Sequence, residues 1–313
     1  MLSLPSPDVL RNVVDAHCHP TDAPSISSES MDKLSINICA MSSKASDQSM
    51  VRKLAQSYPD KVIPCFGYHP WFSHLISIRG DLSKEDHFRE LFRPSSAEDL
   101  AELNALLPGL SDPIPLDNVL QEVRQNLEAF PNAMLGEVGL DRSFRIPYDY
   151  DASPHLAVAL GRNISLHSVK AHQATMELLA SSKAKHGVQW NKISLDMHSC
   201  GFSPEMWKDI ERRYSNVFIS LSTVINSRSP NHIALIKACD PHRILVESDY
   251  NDVDLCAQRT WEMVSTVAHV KNWKIETEWR EEGDHTAVVH RLKENWIRFK
   301  EGNHPTTPSR GKS

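Results

Sequence analysis

Several features that would place a chain outside the ordinary globular class are missing from this sequence of 313 residues. Its six cysteines (Cys18, Cys39, Cys65, Cys200, Cys239 and Cys256) lie far apart with no CxxC pair. That argues against a disulfide framework or a zinc ribbon and points to reduced, mostly buried thiols. No apolar run approaches the ~20 residues of a membrane span, and the first 14 residues lack the basic start and long apolar stretch of a signal peptide. No membrane partner is expected, and the expected location is intracellular, in the cytoplasm, the nucleus or both. Positive charge is not in excess either: Lys and Arg total 34 against 40 Asp and Glu, for a net charge of -6. No global field therefore draws polyanions, and any nucleic-acid binding has to be local or metal-assisted. With 40% hydrophobic and 24% charged residues, the chain has enough apolar material for a large core and too much for a disordered protein.

Short β-branched and apolar runs recur at 13–17, 35–40, 62–67, 133–138, 164–167, 193–198, 217–221 and 244–249, which predicts eight strands. Segments of helical periodicity, such as 171–185 and 204–214, lie between most of them, the alternation that a parallel sheet requires. Strand starts are 22 to 31 residues apart except for one gap of 71. Eight such units close into an α/β fold of the (β/α)8 TIM-barrel type, and the long gap implies a helical insertion between strands three and four. Residues 283–300, carrying Val288, Leu292, Trp296 and Phe299, read as a closing helix. No Gly/Ser linker divides the chain, so the Pro-rich stretch 107–115 is expected to be a loop inside the insertion of a single domain spanning 1–300. Residues 301–313, rich in Pro, Thr, Ser and Gly, are expected to form a disordered tail.

Residue types that bind metals fall at the ends of these strands. His17 and His19, Glu137, His167, His198 and Asp249 each sit at the C-terminal end of an expected strand, which is the catalytic face of a barrel. In the run DAHCHP the two histidines are two apart, so both imidazoles project to one side of an extended strand and can share one metal. Glu137 stands in MLGEVGLD, an apolar run where an unpaired carboxylate is costly; its partner is either a cation bound there or an arginine such as Arg142. His167 in ISLHS and His198 in LDMHS repeat one design, an apolar run that ends in His and then Ser. Asp249 closes the set in ILVESD, and Glu247, two residues earlier, faces the same way and suits a carboxylate that orients a metal-bound histidine from behind. Either acid could instead cap a following loop or helix.

The runs DAHCHP, FGYHP, GEVGLD, SLHS, DMHS followed by Cys-Gly, and ESD occur in the order and approximate spacing of the TatD family of metal-dependent hydrolases, which this sequence resembles from about Asp15 to Asp249. The resemblance implies an amidohydrolase-type barrel binding two divalent metal ions, in a family many of whose members are deoxyribonucleases. Carried over residue by residue, it implies His17, His19, Glu137 and Asp249 around one metal and Glu137, His167 and His198 around the other, with Glu137 bridging. It also implies that His69 lies near the substrate phosphate. The sequence departs from the family where His69-Pro70 is followed by Trp71 rather than a second histidine, and where Val169 stands in place of a basic residue two positions after His167. The segment between Asp141 and Asn163 is short, and the insertion around 88–117 is longer than in bacterial members.

Such a site is expected to hydrolyse phosphodiesters, most simply single-stranded DNA, with Glu137 and Asp249 as the catalytic carboxylates, Asp249 as proton acceptor, and His69 and Arg142 steadying the phosphate. Four imidazoles with two carboxylates favour Zn, Mn or Fe, with Mg remaining open. Two alternatives stand beside this. A two-metal site polarises carbonyls as readily as phosphoryl groups, so a small amide or lactone is also a possible substrate; and a barrel of this kind can persist as a protein-binding partner in an intracellular assembly.

Overall fold

The computed structural model describes residues 3–80, 82–143 and 152–304. Eight parallel strands form one sheet in sequence order: β1 (Val14–Cys18), β2 (Asn37–Met41), β3 (Val62–Phe66), β4 (Met134–Asp141), β5 (Ile164–Val169), β6 (Leu195–Met197), β7 (Val217–Leu221) and β8 (Ile244–Val246). All eight fall on runs expected to be strands. Each strand is covered on both faces, which is why such strands read as nearly continuous apolar runs. Alternation then sorts their side chains: Val217, Ile219 and Leu221 of β7 point to the surrounding helices, and Phe218 points into the barrel. Ala16, Cys39, Met41, Cys65, Met134 and Leu245 fill the interior with it.

The sheet curls round until its ends nearly meet. At the mouth, the backbone N–H of Asp249 donates to the carbonyl of His17 (2.9 Å), and that of His19 donates to the carbonyl of Tyr250 (2.9 Å). The opposite end is plugged by the closing helix Val288–Glu301: its Phe299 meets Phe218 edge-on, with ring centroids 5.4 Å apart. Asn295 on the same helix donates to the carbonyls of Pro241 (2.8 Å) and Ile244 (2.9 Å).

Between β3 and β4 lie helices Lys84–Phe92, Ala97–Leu106 and Leu116–Ala129. The third packs on the barrel through Val119, Val123 and Leu127. The first two bury Phe88 and Leu103 in a small core of their own, completed by Leu107 just after the second. Ser83 and Ser96 cap these two helices by accepting the backbone N–H three residues on. The Pro-rich stretch is more ordered than a plain loop: it contains a 3-10 turn at Leu107–Gly109 and a two-residue strand, Ile114–Pro115, paired in parallel with Ile76–Ser77.

β6 and β8 are shorter than the runs that predicted them; β6 begins two residues late, and the backbone leaves the extended region beyond the two strands at Ser199 (φ 41°) and Asp249 (φ 50°). The crossover to β5 carries the helix Ala152–Leu160, and the segment before it, 144–151, lies outside the described residues. Of the tail expected from Glu301, Glu301 ends the closing helix and the His304 ring reaches the Ser194 hydroxyl (2.9 Å). The remainder of that tail, 305–313, lies outside the described residues.

Candidate metal centre

The strand ends deliver their side chains to one point. β4 carries Glu137, buried to 1% exposure, into the centre of the mouth. Its Oε2 faces His19 Nε2 (3.3 Å) and His17 Nε2 (3.4 Å), both brought by β1. Its Oε1 faces His167 Nδ1 (2.6 Å) from β5, His198 Nε2 (2.8 Å) from beyond β6, and His69 Nε2 (3.3 Å) from beyond β3. Asp249, after β8, places Oδ1 3.6 Å from His19 Nε2. Six of the expected residues, with His69, therefore converge.

Gly139 makes the approach of β5 possible. It pairs in register with His167, and a Cβ there would lie 2.0 Å from the His167 carbonyl oxygen. No residue with a side chain fits.

The donor set has the character of a cation site. His17 Nε2 lies 3.1 Å from His19 Nε2, and His167 Nδ1 lies 3.0 Å from His198 Nε2. These close nitrogens converge with carboxylate oxygens, and the buried Oε2 of Glu137 has no hydrogen-bond partner. A buried carboxylate oxygen left so is costly unless a positive ion meets it. Nitrogen and oxygen donors in this mixture suit a divalent metal ion. Behind the ring, Nδ1 of His17 is hydrogen-bonded with the Ser165 hydroxyl (2.8 Å), which fixes which nitrogen faces inward.

The charges support each other. Burial alone would raise the Glu137 carboxyl, but the imidazoles of His69, His198, His17 and His167 outweigh it and hold it well below the ordinary range. Burial disfavours the charged form of His19, yet Glu137 and Asp249 overcome this and push it up to about 9. For His69 burial wins, and its value falls below the ordinary one. Asp249 is held below its ordinary value: burial opposes ionisation, but His198, His17 and His19 prevail.

The tautomer of neutral His69 is set by the backbone beside it. Its Nδ1 accepts the backbone N–H of Trp71 (3.0 Å), so in the neutral ring the proton sits on Nε2, which points toward Glu137. A nitrogen that carries a proton donates a hydrogen bond and does not ligate a metal.

Glu247 is buried behind the ring and accepts from the backbone N–H of Ser199 (2.7 Å), with the Ser199 and Ser220 hydroxyls also within hydrogen-bond distance of its carboxylate. His198 Nδ1 lies 3.7 Å from Glu247 Oε1, beyond hydrogen-bond reach. Arg142 is not brought in. Its side chain is exposed, while Asp141 and Ser143 on either side of it line the cavity, because alternation along the strand turns every second residue outward.

The cavity over the cluster has a volume of about 490 Å³. Its walls include residues that the sequence did not mark as site residues: Lys44, Phe72, Asp141, and Trp71, noted there only as a departure from the family pattern. Asp141 Oδ2 accepts the Trp71 indole N–H (2.6 Å) and lies 3.3 Å from His167 Nε2. The signal for Asp141 was present in GEVGLD, since positions 137, 139 and 141 share one face of an extended strand.

The profile of a family described as TatD related DNase matches residues 14–281. The chain belongs to that family. TatD-family hydrolases are metal-dependent, and in this member His17, Glu137 and His198, with His17, His19 and Asp249, are groups able to hold an ion. It is similar to the Schizosaccharomyces pombe Cut9-interacting protein scn1, at 28% identity over 85% of this chain and 95% of that protein. It is also similar to a Saccharomyces cerevisiae protein named as an uncharacterized deoxyribonuclease, at 25% identity over 93% of this chain and 99% of that one. Among solved structures, YjjV of Escherichia coli, a TatD homologue, superposes with a TM-score of 0.60 at 17% identity, covering 95% of this TatD-family chain and 100% of YjjV. An uncharacterized amidohydrolase from Saccharomyces cerevisiae gives a TM-score of 0.61 at 13% identity, covering 92% and 99%. At such identities the structural likeness concerns the barrel alone.

Proposed function

We propose that this TatD-family protein is a metal-dependent deoxyribonuclease that cleaves phosphodiester bonds of single-stranded DNA at a two-metal site. The observation that carries this reading is the Glu137 carboxylate, one oxygen facing His17 and His19 and the other facing His167 and His198. In that arrangement His17, His19, Glu137 and Asp249 would hold one ion, and Glu137, His167 and His198 a second. Bound there, divalent ions would polarise a phosphoryl oxygen and lower the pKa of water. The residues do the rest. Asp249 accepts the proton of the attacking water, an ionised base whose carboxyl is held below its ordinary value. His69 donates its Nε2–H to a non-bridging phosphate oxygen. DNA is thus the proposed substrate and an intracellular setting the proposed location, consistent with six buried cysteines that are all free thiols. Among the described residues no helix is long and apolar enough to cross a membrane.

The test is digestion of end-labelled single-stranded DNA. Cleavage should stop with chelator and return with Mn²⁺ or Mg²⁺. Hydrolysis of a lactone or amide panel with no cleavage of any oligonucleotide would favour the small-substrate reading instead.

A second reading, a role as a protein-binding partner, is favoured by one observation. The insertion exposes Ile78 (63%), Leu106 (60%) and Phe92 (43%), and the fission yeast relative is named for an interaction with Cut9. Ile78→Ser with Leu106→Ser should then weaken an association measured with purified components while leaving hydrolysis intact.

A further inference from the structure

We propose that Trp71 and Lys44 form a nucleotide subsite on the wall of the cavity, with Trp71 stacking on the base next to the reacting phosphate and Lys44 neutralising the adjoining phosphate. This deepens the deoxyribonuclease reading and rests on it.

Of the seven tryptophans, Trp71 is the exposed one, at 50%. An exposed indole forgoes the burial that stabilises the others, and its setting fixes the ring rather than leaving it loose. The indole N–H donates to Asp141 Oδ2 (2.6 Å), and the ring stands edge-on to His69, centroids 4.8 Å apart at 76°. Its one polar atom is thus engaged, and Asp141 is itself held by the backbone N–H of Ser143 (2.7 Å). The free face is apolar, held in place, and part of the cavity wall. A rigid aromatic face beside a phosphate site is what stacks on an unpaired base, tolerantly of sequence, whereas a duplex hides its base faces.

Lys44 supplies the charge. Among the described residues that line the cavity it is the one Lys or Arg, and its ammonium lies 5.4 Å over the ring of Phe72, the neighbour of Trp71. The carboxylates of the wall include Asp22, Glu137, Asp141 and Asp249, which Lys44 offsets in part for an incoming polyanion.

The experiment compares a short single-stranded oligonucleotide with one carrying an abasic residue beside the cleaved bond. Trp71→Ala should raise KM for the base-bearing substrate by roughly 5- to 150-fold, the range expected for one lost stack. The preference for it over the abasic one should then collapse toward one. Trp71→Phe, which keeps a stacking ring but loses the bond to Asp141, should recover most of that preference. Lys44→Met should reduce the salt dependence of log KM by roughly 0.7, one phosphate contact on a single strand. Independently, a phosphorothioate thymidine oligomer should quench part of the intrinsic fluorescence of the purified protein, and Trp71→Phe should abolish that quenching. An unchanged base preference in active Trp71→Ala protein, or oligomer binding without quenching, overturns the proposal. If the protein cleaves no oligonucleotide, the deoxyribonuclease reading fails, and the fluorescence measurement still decides whether the subsite exists.

Discussion

The hydroxyl of Ser199 donates to Oδ2 of Asp249 at 2.9 Å. The backbone N–H of the same residue donates to Glu247 (2.7 Å), so a single serine ties the proposed proton acceptor to the carboxylate buried behind it. The carboxylate of Asp249 is therefore aimed before any substrate arrives.

Asp249→Asn tests that aim. The amide oxygen can still accept from Ser199, and the backbone bond to His17 is untouched, so folding should survive and part of the metal should be retained. General-base assistance is commonly worth about 10² to 10⁴ in rate. The expected result is a loss in kcat/KM of at least about two orders of magnitude, read alongside metal content. A normal kcat in metal-loaded variant would show that another group takes the proton.

Glu137→Gln removes the charge that both histidine groups share. Metal analysis of the purified variant should show depletion beyond that in His17→Ala, which disturbs one group. Equal occupancy in Glu137→Gln and the parent would remove Glu137 from the bridging role.

Stability should vary with pH through Asp15, which is fully buried and whose Oδ2 has no hydrogen-bond partner. Burial pushes its carboxyl up from 3.8 to about 7. Between those values the folded protein holds a proton that the unfolded chain has released, so this group's contribution is fully present below about pH 3.8 and declines as pH rises through 7. Asp15→Asn keeps an oxygen to accept the N–H groups of His17 and Ser248, now without a charge. Denaturant titrations from pH 4 to 8 should show a flatter profile in the variant, the difference reaching up to roughly 4 kcal/mol. Parallel profiles would mean that Asp15 stays ionised.

Gly139→Ala should be severe. The added methyl meets the His167 carbonyl at 2.0 Å and a φ of 153°. A destabilisation of at least about 3 kcal/mol is expected from denaturation midpoints, with β5 pushed outward and metal affinity falling with it. A near-neutral midpoint shift would mean that β4 and β5 slide apart easily.

The barrel was legible because strands buried on both faces announce themselves as apolar runs, and histidines or acids stand at the ends of five of the eight. Legibility ended where alternation and loops decide direction. Arg142 looked like a phosphate partner by proximity to Glu137, yet Asp141 takes the inward position and Arg142 the outward one. Lys44 follows β2 at the N-cap of a helix and Trp71 follows β3 in the short 3-10 helix Pro70–Leu75, where no strand periodicity tells which way a side chain points. The places where the chain leaves β6 and β8 are marked by two left-handed residues, Ser199 and Asp249, neither of them a glycine.

The seam between β1 and β8 has a consequence for how the barrel breathes. The mouth is joined there by two backbone bonds, Asp249 to His17 and His19 to Tyr250, and the side chains proposed to share an ion, His17, His19 and Asp249, come from both sides of it. An ion held across that line acts as a clasp. Amide hydrogens of His19 and Asp249 should exchange with solvent faster in chelator-treated protein than in loaded protein, while amides of β7 barely change. Occupancy of the centre would then set how readily the barrel unzips, and a chelated cell extract would contain a looser molecule as well as a silent one.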